Sequence, residues 1–298
     1  MEKGLRLLFV TCTVDEAFFD TVRKGMRDAA SMLGVEAEFT GTQGVDLEGQ
    51  VALVREGIAA GYEGIAAGYD GIALNIIHAT AFNPVVQEAL DKGVPLVAFN
   101  VDGTHGKGAH LSSVNQDLYR AGRTLGARAA EHLASGSKVL ITMHDEGISA
   151  LEDRARGIQE AIAQARQVTW ETLVTGTDPE KAVQIIEATL REDPGIRAVL
   201  CTGQADTEGA GRALERGAEG RCLCAGFDLS PEILRLIRDG VIAFTIDQQP
   251  YVQGFYPVVQ LVLCCRYGIT PANMDPGAGI ITKQNVAGVM EYSDRGYR

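Results

Sequence analysis

The sequence lacks an excess of basic residues: 27 lysines and arginines stand against 39 aspartates and glutamates, a formal net charge of −12 at pH 7. Nucleic acids and anionic membrane surfaces bind to basic faces, so this charge argues against both as partners. The sequence also lacks an apolar run of about 18 residues, the length that a transmembrane helix needs. We therefore expect a globular protein whose 298 residues form two lobes of ordinary size.

Motifs for catalysis are missing as well. There is no Gly-x-Ser-x-Gly elbow and no Walker loop, and the glycines of Gly103–Gly108 lack the Gly-x-Gly-x-x-Gly spacing of a dinucleotide site. His78 and His144 follow predicted strands, but no His-x-x-His or His-Glu-x-x-His spacing supports a metal site. We therefore predict that the protein is not an enzyme and has neither a cofactor nor a metal.

The six cysteines do not have the pattern of a small disulfide-rich domain. Cys12 follows one predicted strand and Cys201 lies near the end of another, and the Cys-x-Cys and Cys-Cys pairs lack the spacing of common zinc sites. We predict buried free thiols that pack as small hydrophobic groups, with a disulfide as the alternative.

Strand and helix patterns alternate along the chain. Strands are predicted at 5–11, 36–40, 71–77, 94–99, 138–143, 168–174, 198–202, 222–227 and 241–246, and helices at 17–33, 47–60, 118–133, 151–164 and 179–191, with a further helix starting at Asn83-Pro84. Such alternation implies right-handed βαβ units and parallel sheets. The predicted fold class is α/β, with two similar lobes, each a parallel sheet flanked by helices.

The stretch Ala225–Gly254 indicates where a ligand binds. Ser230 has the position of a helix N-cap and Gly240 that of a C-terminal stop. The strands on either side of this helix end on Asp228 and on residues 247–249, which are Asp-Gln-Gln. In open α/β sheets, ligands lie outside the carboxyl ends of the strands. We therefore expect these polar side chains to hydrogen-bond a small neutral polyol.

A local repeat occurs at Glu56–Tyr69, where the heptad Glu-Gly-Ile-Ala-Ala-Gly-Tyr stands twice. Seven residues turn a helix through about 700°, close to two full turns, but each interior glycine costs up to about 1 kcal/mol relative to alanine. We expect a lengthened, imperfect helix or a looped-out copy at the lobe surface, without a role in ligand binding.

Six short motifs follow one another along the chain. They are Phe18-Phe19, Asp70-Gly71-Ile72-Ala73, residues 94–100 (Val-Pro-Leu-Val-Ala-Phe-Asn), Arg154-x-x-Gly157, Gly226-Phe227-Asp228 and Asp247-Gln248-Gln249-Pro250. In this order and at this spacing they resemble the type I periplasmic sugar-binding proteins, the ribose-binding-protein-like family. The resemblance covers the chain essentially from end to end. It implies two α/β lobes joined by a three-segment hinge, one at 1–113 plus 249–274 and the other at 114–248 plus 275–298.

The resemblance implies ligand contacts in the first lobe. Phe18 and Phe19 match an aromatic pair that sandwiches a sugar ring, whose C–H faces suit a flat apolar surface; core packing of the helix start is the alternative. Glu16 stands where ribose binders have an Asn, and Asn100 stands where they have a ligand-binding Asp. Asp102 either supplies the missing carboxylate or is a solvated loop acid. These departures leave the identity of the sugar open.

The resemblance also implies contacts in the second lobe. Arg154 matches a ligand-binding Arg whose guanidinium can donate to two hydroxyls at once; a charge on the helix surface is the alternative. Asp228 and Gln248 match an acceptor and an amide of the site. Gln204 and Asp206 stand where the family has an Asn-Asp pair, and which of the two faces the ligand stays open.

The function that the resemblance implies is that of the solute-binding subunit of an ABC transporter, which captures a monosaccharide or related polyol in the cleft between its lobes. The expected partners are that ligand and the membrane permease subunits; no nucleic-acid partner is expected, and the protein is expected to be a monomer. The first residues show no signal peptide, so we expect either a cytosolic protein or a mature or trimmed chain. The resemblance implies a periplasmic or extracytoplasmic location, with the signal peptide removed. The alternative is the sugar-effector domain of a transcription regulator without its DNA-binding segment.

Overall fold

The computed structural model describes residues 4–59, 68–217 and 222–298. Most of the predicted heptad repeat therefore lies outside the described residues. The chain divides into two compact units. Unit 1 comprises Met1–Gln116, Gln249–Pro276 and Tyr297, and unit 2 comprises Asp117–Gln248, Gly277–Gly296 and Arg298.

The strands and helices alternate through most of the chain. In order they are β1 (Arg6–Thr11), α1 (Phe18–Leu33), β2 (Glu36–Gly41), α2 (Leu47–Ala59), β3 (Gly71–Ile76), α3 (Asn83–Asp91), β4 (Leu96–Asp102), β5 (Ser113–Asn115), α4 (Leu118–Ala130), β6 (Lys138–Met143), α5 (Ser149–Ala165), β7 (Thr169–Val174), α6 (Pro179–Glu192), β8 (Ile196–Cys201), α7 (Gln204–Gly217), β9 (Leu223–Phe227), α8 (Pro231–Asp239), β10 (Phe244–Asp247), α9 (Pro250–Tyr267), β11 (Gly279–Thr282) and α10 (Val286–Asp294).

Unit 1 is built on a parallel sheet with the strand order β2-β1-β3-β4-β5. Helices α1 and α9 pack together over one face of this sheet, around the buried rings of Phe9, Phe19 and Phe99. The two helices approach closely because glycines lie where they touch: a Cβ at Gly25 would come within 2.0 Å of a backbone oxygen of α9, and a Cβ at Gly254 within 1.9 Å of one in α1. A side chain at either position would push the helices apart.

Unit 2 is built on a sheet with the strand order β11-β10-β9-β8-β6-β7. Strand β11 runs antiparallel to β10, and the other neighbours pair in parallel. Apolar clusters lie on its two faces, one between the sheet and α6–α8, the other between the sheet and α4–α5. Two mostly parallel sheets flanked by helices confirm the predicted fold class.

The predicted helix between Asp228 and residues 247–249 is present with the expected ends. Ser230 Oγ accepts a hydrogen bond of 3.1 Å from the amide of Ile233, and Gly240 ends α8 with φ 89°. Several predicted strand bounds were wrong by one or two residues, and two were wrong by three. Strand β4 continues to Asp102 instead of ending at residue 99, and β10 begins at Phe244 instead of 241.

All six cysteines are free thiols, as predicted, but only Cys12, Cys201 and Cys224 are buried; the prediction of burial was wrong for Cys222, Cys264 and Cys265, which are half-buried. Burial raises the pKa of Cys12 and of Cys265 to about 11 in each case. Within the described part of the chain, no helix is long and apolar enough to cross a membrane.

Candidate functional site

In unit 2, Asp228 and Gln248 lie just beyond the carboxyl ends of the neighbouring strands β9 and β10. Gln248 Nε2 donates a 2.5 Å hydrogen bond to Asp228 Oδ1, and both side chains are buried. Asp228 has φ 74°, a left-handed conformation that, apart from glycine, mainly asparagine and aspartate adopt. Burial raises the pKa of Asp228; the charge of Arg154 and the hydrogen bond from Gln248 oppose this rise. The fold therefore buries a carboxyl group whose desolvation is only partly offset by the charge of Arg154 and the hydrogen bond from Gln248.

Arg154 projects from α5 and is only 3% exposed. Its Nη1 donates a 2.9 Å hydrogen bond to the carbonyl oxygen of Thr202, and its guanidinium carbon lies 4.0 Å from the centre of the Phe227 ring. Burial lowers its pKa, while the charges of Asp228 and Asp206 act in the opposite direction. Stacking on the ring and the carbonyl bond fix the orientation of the planar group. The structure thus contradicts the alternative of an exposed charge on the helix surface.

Asp206 and Gln204, the two candidates at the start of α7, have different environments. Asp206 is fully buried, and its carboxylate accepts from Thr142 Oγ1 at 2.7 Å and from the amides of Thr202 and Gly203 at 2.9 and 3.0 Å. It therefore ties the ends of β6 and β8 to the first turn of α7. Gln204 is half-buried, which leaves part of its surface accessible. Which of the two contacts a ligand stays a prediction.

In unit 1, the two predicted aromatic contacts also differ from each other. The Phe19 ring is 3% exposed and belongs to the core with Phe39 and Phe99, whose ring centres lie 5.8 and 6.5 Å away. Phe18 is half-buried and meets Phe19 edge to face, with 5.2 Å between ring centres. Glu16 is exposed in the turn before α1. A ligand contact by Phe19 remains a prediction, and the structure gives this ring a packing role.

Asn100 lies within β4 rather than after it, with φ 62°. Its Oδ1 accepts a 2.8 Å hydrogen bond from Asn75 Nδ2, and its Nδ2 donates a 3.0 Å hydrogen bond to Gln253 Oε1. All three side chains are buried, and we refer to Asn75, Asn100 and Gln253 as the amide chain. Sequence reasoning missed Asn75 and Gln253. The signal for Asn75 is an amide inside the otherwise apolar strand β3.

Asp102 is buried by the loop that follows it. Its carboxylate accepts from Thr104 Oγ1 at 2.5 Å and from the amides of Thr104 and Gly106, each at 3.1 Å, and it pairs with His110 Nε2 at 3.2 Å. Burial on its own raises the pKa, but the bonds from His110 and Thr104 outweigh it and hold the pKa at about 2. The structure contradicts the alternative of a solvated loop acid, because Asp102 organises the loop.

The predicted loop histidines show no metal-binding arrangement. His78 Nδ1 accepts from the amides of Thr80 and Ala81 at 3.2 and 3.1 Å, and His144 Nδ1 lies 3.9 Å from Asp206 Oδ1. Among the described residues, no group of three or more His, Cys, Asp or Glu side chains is arranged to hold a metal ion. The chemistry that these side chains offer is hydrogen bonding: a guanidinium, a carboxylate and amides at the carboxyl ends of strands.

Comparison with known proteins relates the chain to one family. The family described as "Periplasmic binding protein domain" matches residues 7–266. The xylose/arabinose-binding protein XylF of Sulfolobus acidocaldarius is 29% identical over 297 residues, which cover 94% of this chain and 72% of that protein. The ribose import binding protein RbsB of Escherichia coli is 25% identical, with 82% of this chain and 79% of that protein covered. A crystal structure of a carbohydrate transporter from Acidothermus cellulolyticus in complex with myo-inositol is 28% identical, has a TM-score of 0.86, and covers 99% of this chain and 100% of its own.

Proposed function

Because the chain belongs to the periplasmic binding protein family, as its motifs predicted, we propose that it is the solute-binding subunit of an ABC transporter and captures a monosaccharide or related polyol. The names of its relatives support this proposal: one is a xylose/arabinose-binding protein, another is a ribose import binding protein, and a solved relative was crystallised with myo-inositol. All of these ligands are small and neutral, and carry several hydroxyl groups. The import function named for RbsB supports a transporter subunit over a regulator's effector domain.

The observation that carries the proposal is the buried group of Arg154, Asp228 and Gln248 in unit 2. Its guanidinium is held by stacking on Phe227 and by the Thr202 carbonyl. A hydroxyl both donates and accepts a hydrogen bond, so a polyol matches a site that offers a cationic donor, an anionic acceptor and an amide. Burying a polar group costs free energy unless hydrogen bonds replace those lost from water, so a ligand that supplies the missing hydrogen bonds binds most favourably to such a group.

The remaining predicted residues have distinct roles in this proposal. The half-buried ring of Phe18 packs against a C–H face of the sugar, and Gln204 and Asn100 hydrogen-bond its hydroxyls. Asp206 and Asp102 organise the ends of strands and a loop, and act on the ligand indirectly. For the ligand-binding lobes we keep the predicted division, 1–113 plus 249–274 and 114–248 plus 275–298.

The same proposal covers the protein's place in the cell. Binding the sugar requires no nucleophile or general base, so the protein releases the sugar chemically unchanged. The permease subunits of the transporter are the proposed protein partner, the subunit acts as a monomer, and it works outside the cytoplasmic membrane. Relatives named as periplasmic or import binding proteins support this location.

A thermal-shift screen with D-xylose, L-arabinose, D-ribose and myo-inositol tests the proposal, with succinate as a charged non-sugar control. A ligand at a hundredfold excess over its Kd stabilises the folded protein by about 2.7 kcal/mol. We expect at least one of the four to raise the Tm and to be recovered chemically unchanged. Arg154→Met should abolish that shift. A Tm that none of these polyols moves, or a sugar recovered as a different compound, would refute the proposal.

A further inference from the structure

The amide chain connects two strands and a helix of unit 1. Asn75 lies on β3, Asn100 on β4 and Gln253 on α9, and their exposed fractions are 1%, 8% and 0%. The hydrogen bonds run in one direction, from Asn75 Nδ2 to Asn100 Oδ1 at 2.8 Å and from Asn100 Nδ2 to Gln253 Oε1 at 3.0 Å. Each end of the Asn100 amide is therefore held by another buried side chain.

The backbone at Asn100 departs from regular strand geometry, with a bulge in the pairing of β3 and β4. Leu74 pairs with Ala98, but Ile76 pairs with Asp102, so β4 contains extra residues opposite Asn75. Bulges of this kind change the direction in which a side chain points and are frequent next to functional sites. Asn100 also has φ 62°, a conformation with a conformational cost that surrounding contacts must offset.

We propose that Asn75 is a positioning residue, which, together with Gln253, fixes the amide of Asn100 so that it presents one defined N–H donor to a sugar hydroxyl. The proposal rests on the function proposed above. The Asn100 amide nitrogen has two protons, and one is donated to Gln253. The oxygen of the same amide accepts from Asn75. An amide held at both ends cannot exchange its oxygen and nitrogen, so the remaining N–H has a fixed direction.

The fixed orientation of the Asn100 amide determines which hydrogen-bonding group of a ligand it can bind. A fixed N–H donor favours an acceptor lone pair, which a neutral hydroxyl supplies. An unheld amide would rotate and meet either a donor or an acceptor. Asn75 thus determines the ligand preference of Asn100 from a buried position behind it.

A double-mutant cycle tests the proposal by calorimetry with the polyol that gives the largest Tm shift of the four in the panel. Asn75→Leu removes the donor to Asn100. In the otherwise unchanged protein it should raise the Kd roughly 2- to 12-fold, the loss of about one neutral hydrogen bond. In an Asn100→Ala background the same change should raise the Kd by less than about twofold, because the group that Asn75 positions is gone.

Gln50→Met provides the matched control. Gln50 is also fully buried, and its Nε2 donates a 3.2 Å hydrogen bond to the backbone oxygen of Asn75 rather than to its side chain. We expect both variants to lower the Tm, but Gln50→Met should leave the Kd within about twofold of the unmodified protein. If Asn75→Leu does not fold, Asn75→Ser replaces it. The serine hydroxyl lies one bond short of the position of Asn75 Nδ2, so this variant also loses the hydrogen bond to Asn100.

Three results would overturn the proposal: an unchanged Kd in Asn75→Leu, an equal loss in both backgrounds, or the same loss in Gln50→Met. An equal loss in both backgrounds would mean that Asn75 acts independently of Asn100, for example by contacting the sugar itself. If the unmodified protein binds none of the four polyols, the proposed function fails and this inference with it. If it binds and the cycle shows no coupling, only this inference fails.

Discussion

Replacing Asp228 with asparagine is expected to make the unliganded protein more stable and to weaken sugar binding. If Asp228 binds the sugar as proposed, the two effects have opposite signs, because burial of the carboxylate destabilises the fold while the carboxylate accepts a hydrogen bond from the ligand. A residue kept only for stability would change both quantities in the same direction or would leave affinity unchanged. The substitution therefore separates a binding role from a structural one.

The gain in stability follows from the pKa of Asp228. Burial raises that pKa above its value in the unfolded chain, against the charge of Arg154 and the bond from Gln248. A carboxyl group whose pKa is raised by folding stabilises the folded protein at pH values below its unfolded pKa. This contribution is lost as the pH rises through the folded pKa. Asparagine stays neutral throughout, keeps an oxygen for Gln248 Nε2, and tolerates the φ of 74°. Asp228→Asn should therefore match the unmodified protein in acid and exceed it in free energy of unfolding at neutral pH.

The loss of affinity follows from the charge of the acceptor. A hydrogen bond to a charged group contributes about 1.5–3 kcal/mol and one between neutral groups about 0.5–1.5 kcal/mol. The difference, about 1–1.5 kcal/mol, corresponds to a Kd roughly 5- to 12-fold higher. Asp228→Ala removes the acceptor altogether and should weaken binding by about 1.5–3 kcal/mol.

Urea unfolding between acidic and neutral pH measures the stability, and calorimetry with a bound polyol measures the affinity. Asp206→Asn is the matched control, because Asp206 is also buried but accepts hydrogen bonds from Thr142, Thr202 and Gly203. An amide there would direct N–H groups at donors, so this variant should lose stability at neutral pH. If Asp228→Asn loses as much stability as Asp206→Asn and binds sugar as tightly as the unmodified protein, the reasoning about Asp228 is refuted.

Two further predictions concern unit 1. Phe18→Ala should weaken sugar binding with little change in Tm. Phe19→Ala should lower the free energy of unfolding by about 3–5 kcal/mol, because its ring is in the core. Calorimetry measures the binding and urea unfolding the stability, and equal stability losses in the two variants would contradict the distinction. The depressed pKa of Asp102, about 2, contributes stability above its unfolded pKa of about 3.8 that is lost as the pH falls toward about 2. Asp102→Asn should therefore lose about 2 kcal/mol at pH 7, and a difference from the unmodified protein that does not shrink in acid would contradict this.

Local patterns in the sequence predict much of the fold. The Ser230 cap and the Gly240 stop are short-range signals, and α8 lies between them. Strands without such signals were missed. The three-residue strand β5 and the antiparallel β11 are too short to show a period, and pairing across the sheet defines them. Strand β4 extends to Asp102 because its irregular pairing with β3 places polar residues inside the sheet, where the pattern predicts that a strand has ended.

The candidate site could be predicted only in part. Motif positions led to Arg154, Asp228 and Gln248, which the structure brings together in unit 2. The amide chain could not be predicted, because the bond from Asn100 to Gln253 joins residues 153 positions apart. Residue type alone gives no sign that these amides meet. An amide within an apolar strand, as at Asn75, shows that a partner is required, but the fold determines which partner it has.

Two aspartates at the same edge of one sheet show how energetics separates a structural acid from a binding one. Asp206 receives three hydrogen bonds from its own unit, so folding alone accounts for its burial. Asp228 has a left-handed backbone and a pKa raised by burial despite the nearby charge of Arg154. Folding alone does not favour a buried carboxyl group whose pKa is raised, and ionisable residues with such perturbed pKa values are frequent at functional sites. In the proposed function, the donor hydroxyls of a polyol would supply the hydrogen bonds that the fold does not give to the Asp228 carboxylate, and Asp228→Asn tests whether they do.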